Sequence, residues 1–114
     1  MNADTRLATY GTLAPGKPNH HQLAQLRGRW MKGTVSGALV RSGWGAALGF
    51  PALVLDSTGS SVPVDLFESA DLPRHWARLD EFEGEGYRRV VVEVETEEGS
   101  LASFIYVAAD QHAG

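Results

Sequence analysis

The stretch that most limits what this chain can become is "YRRVVVEVETEEGSLASFIYVA", residues 87–108. Val90, Val92 and Val94 fall on one face of an extended segment and Glu93 and Glu95 alternate opposite them, the period of a strand with one dry face. "EEGS" turns the chain into "LASFIYVA", a second strand. Such a pair needs further sheet, and the upstream sequence offers it. "RLATY", residues 6–10, reads as a first strand closed by Gly11. "TVSGALVR", residues 34–41, reads as a strand whose internal glycine suggests a bulge or bend in a curved sheet. "PALVLD" and "VPVDLF", joined by the turn "STGSS", read as neighbouring strands preceded by the glycine-rich loop "GWGAALG".

Two segments carry helical signals. Asn19 is a good N-cap after Pro18, and "HHQLAQL" spaces Leu23 and Leu26 three apart, which predicts a short helix. "SADLPRHWARLDEFEG" has Ser69 or Asp71 as cap, Pro73 in the first turn and Gly84 as the stop. The order is strand, helix, three strands, helix, two strands, without repeats or βαβ regularity. An α+β fold follows, with a small curved sheet or barrel and two helices as its closure. At 114 residues, 43% of them hydrophobic, the chain is expected to be a single domain spanning 1–114.

Composition removes several function classes. A formal net charge of −4 with scattered basic residues argues against a nucleic-acid partner. The absence of cysteine excludes disulfides, a thiolate nucleophile and thiolate metal sites. The start "MNADTRLATYG" lacks an apolar signal core and no apolar run approaches the ~20 residues of a membrane span. A soluble, cytoplasmic protein with no membrane partner is the expectation. His20 and His21 are adjacent on an expected helix, His75 and His112 lie far off, and no HExxH spacing occurs, so no metal site is expected. There is no GxSxG elbow, and "GTLAPGKP" fails the phosphate-loop pattern because Pro18 follows Lys17.

The acids Asp80, Glu81, Glu83 and Glu85 crowd the end of the second helix. At 100° per residue, Leu72, Trp76 and Leu79 fall within roughly 60° of one another, and Glu83 lies about 20° from Leu72. Glu81 points to the opposite side and Asp80 sits on a flank. Glu83 is the acid aimed along the apolar stripe. Poor solvation and the negative end of the helix dipole both favour its protonated form, which suits general acid/base work. The alternatives are that fraying at Gly84 turns Glu83 outward, or that it pairs with Arg88 or Arg89. "YGTLAPGKPN", residues 10–19, follows the first strand; backbone N–H groups of Gly11, Thr12 and Leu13 can cradle a carboxylate, or the segment is an ordinary strand-to-helix turn.

"YGTLAPGKPNHHQL" and "LDEFEGEGYRRVVVEV" together resemble the γ-glutamylcyclotransferase-like family, in its small bacterial-type, AIG2-like γ-glutamylamine cyclotransferase branch. "KGTVSGALV" and "FPALVLD" resemble that family's second and third strands, so the likeness covers residues 6–107. It implies a small mixed β-barrel with two flanking helices and a catalytic glutamate at Glu83, the residue helical geometry also selects. It further implies a pocket lined by Tyr10, Gly11, Thr12 and Leu13, a small-molecule γ-glutamyl substrate, and release of 5-oxoproline with a free amine. No cofactor is required by that chemistry. Tyr87 either covers the pocket or simply begins a strand, and Arg88 either attracts an acidic substrate or is one exposed charge. The sequence departs from the family pattern at Val64, where relatives often carry glycine, and at Ala14 and Pro15, where basic residues often stand. The ending soon after Val107 leads to the expectation of an open pocket. A non-catalytic binding domain that keeps the fold is the alternative function, and the oligomeric state stays open.

Overall fold

The computed structural model describes residues 3–10, 16, 20–40, 52–56 and 58–108. Six strands and one α-helix follow in chain order: β1 (Arg6–Thr9), β2 (Arg29–Val40), β3 (Ala52–Leu55), β4 (Ser60–Glu68), α1 (Trp76–Glu83), β5 (Tyr87–Thr96) and β6 (Gly99–Ala108). Short 3-10 turns occupy Ala3–Thr5, His20–Gln22 and Leu72–Arg74.

The strands neighbour one another in the order β3, β2, β4, β1, β6, β5, and β5 returns to pair with β2. Five of them therefore close a barrel, with β3 extending the outer half of β2. The β1–β6 pairing is parallel and the others are antiparallel, which makes the barrel mixed. Closure is made at Gly33↔Thr96 and Thr34↔Glu95. A Cβ at Gly33 would stand 2.6 Å from Val94 Cγ1 and 2.8 Å from the Glu95 carbonyl oxygen, so glycine is what lets the two strands meet. At Gly37, the glycine that suggested a bend, a Cβ would stand 2.3 Å from the Val54 carbonyl oxygen of β3.

Alternation sorts the side chains into two cores. Ala8, Val35, Val62, Val64, Leu66, Val94, Ile105 and Val107 fill the barrel, so Val64 is an interior packing residue. Leu7, Phe67 and Tyr106 face outward and meet Leu23, Leu26, Leu72, Trp76 and Leu79 in a second core beneath α1. The one-faced pattern of β5 holds: Val94 is fully buried, whereas Glu93 and Glu95 are exposed.

The expected helix over "HHQLAQL" is corrected to a 3-10 turn at His20–Gln22 followed by further turns. Its hydrogen bonds run from Leu23 N to His20 O (2.9 Å) and from Leu26 N to Leu23 O (3.0 Å). Two apolar residues three apart suit the three-residue 3-10 repeat as well as an α-helical face. Among the described residues the barrel therefore carries one flanking α-helix, where two were expected. The second strand starts at Arg29, five residues earlier than its pattern predicts. The Asn19 cap, the loop "GWGAALG", Ala14, Pro15 and His112 lie outside the described residues.

Candidate active site

The site is assembled by α1. The sequence descends through Pro73 in a 3-10 turn, becomes α-helical at Trp76, and stops at Gly84, whose φ of 81° is open to glycine at little cost. Leu72, Trp76 and Leu79 are buried as their spacing predicts, which presses the helix against the barrel. Polar tethers fix its azimuth: Trp76 Nε1 donates to the Asp4 carbonyl oxygen (2.9 Å), and Arg78 donates to Gln22 Oε1 and O (2.9 Å each).

With the helix so held, Glu83 is half-buried at its last turn. Desolvation raises its pKa to about 7 from an ordinary value near 4.5. Among the described residues, no hydrogen-bond donor or cation meets the carboxylate. Its charge is felt by three tyrosine hydroxyls, those of Tyr10 at the end of β1, Tyr87 at the start of β5 and Tyr106 in β6. Burial pushes each of the three upward, and Glu83 adds to the rise in each. Tyr10, Tyr87, Tyr106 and Glu83 thus gather at the barrel end where β1 and β6 finish and β5 begins.

Tyr10 is held rigidly there. Its hydroxyl donates to the Tyr106 carbonyl oxygen (2.7 Å) and accepts from Leu53 N (3.0 Å), joining β1, β6 and β3. Tyr87 is half-buried and packs against the outer core. Gly11, Thr12 and Leu13, expected to supply backbone donors, lie outside the described residues.

Neither arginine considered as a partner of Glu83 takes it. Arg89 forks onto Asp80 instead, with Nε to Oδ1 at 2.8 Å and Nη2 to Oδ2 at 3.1 Å. Tyr106 donates its hydroxyl to the same Asp80 Oδ1 (2.7 Å), and its burial next to that carboxylate raises its pKa. Arg88 is exposed. The Tyr106 and Asp80–Arg89 arrangement escapes sequence reasoning; the one available signal was the flank position of Asp80 on the helix, and nothing in the sequence sets the register of β5 beneath it.

Among the described residues, no group of three or more His, Asp or Glu side chains is placed to hold a metal ion. No helix there is long and apolar enough to cross a membrane. What the site can do is hold and release a proton near neutrality in a partly dry setting at the barrel end.

Fold and site together define a small mixed β-barrel protein with a desolvated carboxyl, unpaired among the described residues, at the barrel mouth. The chain belongs to the gamma-glutamyl cyclotransferase, AIG2-like family, whose sequence model matches residues 7–114. Similar solved structures include YkqA from Bacillus subtilis, at 30% identity and a TM-score of 0.71 over 92% of this chain and 36% of that one. This chain thus spans about a third of the length of YkqA. An AIG2-like protein from Mus musculus is 24% identical with a TM-score of 0.70, over 92% of this chain and 77% of that one. PH0828 from Pyrococcus horikoshii is 25% identical with a TM-score of 0.63, over 93% and 79%. No curated protein matches the sequence.

Proposed function

We propose that the chain is a γ-glutamyl cyclotransferase that converts a γ-glutamyl amine or amino acid into 5-oxoproline and a free amine, with Glu83 as general acid/base. One observation carries the reading: the carboxyl of Glu83 is desolvated, unpaired among the described residues and brought to about pH 7 at the mouth of the family's barrel. Membership of the gamma-glutamyl cyclotransferase, AIG2-like family supplies the reaction class.

The substrate carries its own nucleophile, so the protein's main task is to fold it into the reactive conformer. Glu83 as carboxylate takes a proton from the substrate's α-ammonium group. The freed amine attacks the γ-carbonyl carbon, forming the ring C–N bond and a tetrahedral oxyanion. Collapse of that intermediate breaks the original amide C–N bond as Glu83 gives its proton to the departing nitrogen. The ring nitrogen then passes its extra proton through the regenerated Glu83 carboxylate to the released amine, which leaves as an ammonium ion. The proton count closes with no redox step. In this reading Tyr10, Gly11, Thr12 and Leu13 hold the γ-glutamyl moiety, backbone N–H groups of Gly11, Thr12 and Leu13 meet its charge, and Tyr87 covers it.

The test is release of 5-oxoproline, measured by mass spectrometry, from γ-glutamyl amino acids, γ-glutamyl amines including ε-(γ-glutamyl)-lysine, and glutathione. Wild type is expected to form product and Glu83→Gln to lose at least about a hundredfold in rate while remaining folded. Equal product from both proteins removes Glu83 from the chemistry. No product from folded wild type favours a binding domain built on the same barrel.

A further inference from the structure

Asp80 and Glu83 stand three residues apart on α1, a spacing that makes their side chains neighbours. They meet different fates. Asp80 is more exposed, yet it collects the fork of Arg89 and the hydroxyl of Tyr106, while Glu83 is half-buried and collects neither. Arg89 lies two residues along β5 from Tyr87, on the same outward face of the strand. Its guanidinium is packed 4.5 Å from the centroid of the Trp76 ring on α1 and 4.3 Å from that of Phe104 on β6, so this partly desolvated cation is held between helix and barrel and calls for a carboxylate partner.

From this geometry we infer that Asp80 is a positioning residue: by fixing Arg89 and the Tyr106 hydroxyl, it keeps both off Glu83 and leaves that carboxyl free for the substrate. The inference rests on Glu83 acting as the acid/base. The tyrosines that feel the charge of Glu83 are Tyr10 after β1, Tyr87 on β5 and Tyr106 on β6, with Asp80 one turn back on its own helix and the exposed Arg88 next to Tyr87 in β5. Arg89 is faced by Asp80, by Tyr106 and at longer range by Asp4. Asp4 lies toward the Trp76 end of α1, since its carbonyl oxygen accepts from Trp76 Nε1. With Asp80 neutralised, Glu83 is the carboxylate that a released Arg89 meets along the helix toward Tyr87. An ion pair there would hold Glu83 deprotonated and unable to return a proton to the leaving amine.

The experiment is a carboxyl carbon NMR titration of 13C-glutamate-labelled protein, with Glu83→Gln assigning the resonance. Asp80→Asn is expected to lower the Glu83 midpoint at least tenfold in proton affinity, and Arg89→Met to move it the other way, because Asp80 then faces Glu83 as an uncompensated like charge. The double variant Asp80→Asn/Arg89→Met should return the midpoint toward wild type. The acid limb of the rate profile should move with the midpoint in each variant. A folded Asp80→Asn protein with an unmoved midpoint, including the case in which Arg89 transfers to Asp4, overturns the inference. Should Asp80→Asn fail to fold, a fall or no change in Arg89→Met does the same. If wild type forms no 5-oxoproline, the proposed reaction falls, while the titration still decides what Asp80 does.

Discussion

At the barrel end where β1 and β6 begin, Glu68 accepts from Arg6 at 3.0 Å and Arg29 at 2.9 Å, and Arg29 forks onto Glu98 with two contacts of 2.9 Å. Arg6 also donates to the Ala102 carbonyl oxygen (3.1 Å), knitting β6 into the rim. The arginine hydrogen bonds hold both Glu68 and Glu98 below the usual carboxylate range. At the opposite end, Glu83 is drier than either and has no counter-charge among the described residues, so its pKa moves up. The paired rim serves the fold. The unpaired mouth costs the fold something, and the proposed reaction accounts for that cost because it needs this carboxyl available.

Substitutions should separate the two ends. The largest loss is expected from Leu79→Ala, which empties a fully buried position beneath α1. Urea unfolding should register a drop of about 2–5 kcal/mol, with α1 loosened at the mouth while the rim pairs survive. Next comes Tyr10→Phe, which leaves Leu53 N and the Tyr106 carbonyl oxygen without their shared hydroxyl. A loss of about 1–3 kcal/mol by the same measurement is expected. Glu68→Gln at the rim should cost about 1–2 kcal/mol near neutrality, and its effect should fade as pH falls through the depressed pKa of Glu68. Glu98→Gln should change least, since its pair with Arg29 is exposed and salt screens it; a thermal melt indistinguishable from wild type in high salt is the expected result.

What could be read in the sequence followed from local periodicity. The half-buried position of Glu83 was legible because Trp76, Leu79 and Glu83 share a helical stripe whatever the helix packs against. The valine face of β5 was legible for the same reason. Closure of the barrel at Gly33↔Thr96 was not, because it joins residues 63 apart in sequence and depends on how far the whole sheet curls. The pairing of Arg89 with Asp80 also stayed hidden: Arg88 and Arg89 follow Gly84 by a few residues, and only the register of β5 decides which arginine faces the helix and which carboxylate it reaches. The helix expected over residues 20–26 failed because two leucines are too few to tell a period of 3.6 from one of 3.0.

The central claim is that Glu83 is held without a counter-charge, and the pH dependence of stability reads it directly. Unfolding free energies of wild type and Glu83→Gln should be compared by urea titration from pH 4 to pH 9. Because the folded pKa lies above the unfolded one, the folded state binds the extra proton between about 4.5 and 7, and wild-type stability is lost as pH rises through that window. The two proteins should be nearly equal at the acid end. The difference should then grow in favour of Glu83→Gln to at most roughly 3 kcal/mol and level off above pH 7. A difference that stays flat with pH, or a wild type that gains on the variant as pH rises, would mean that Glu83 is solvated or ion-paired, and would contradict the account.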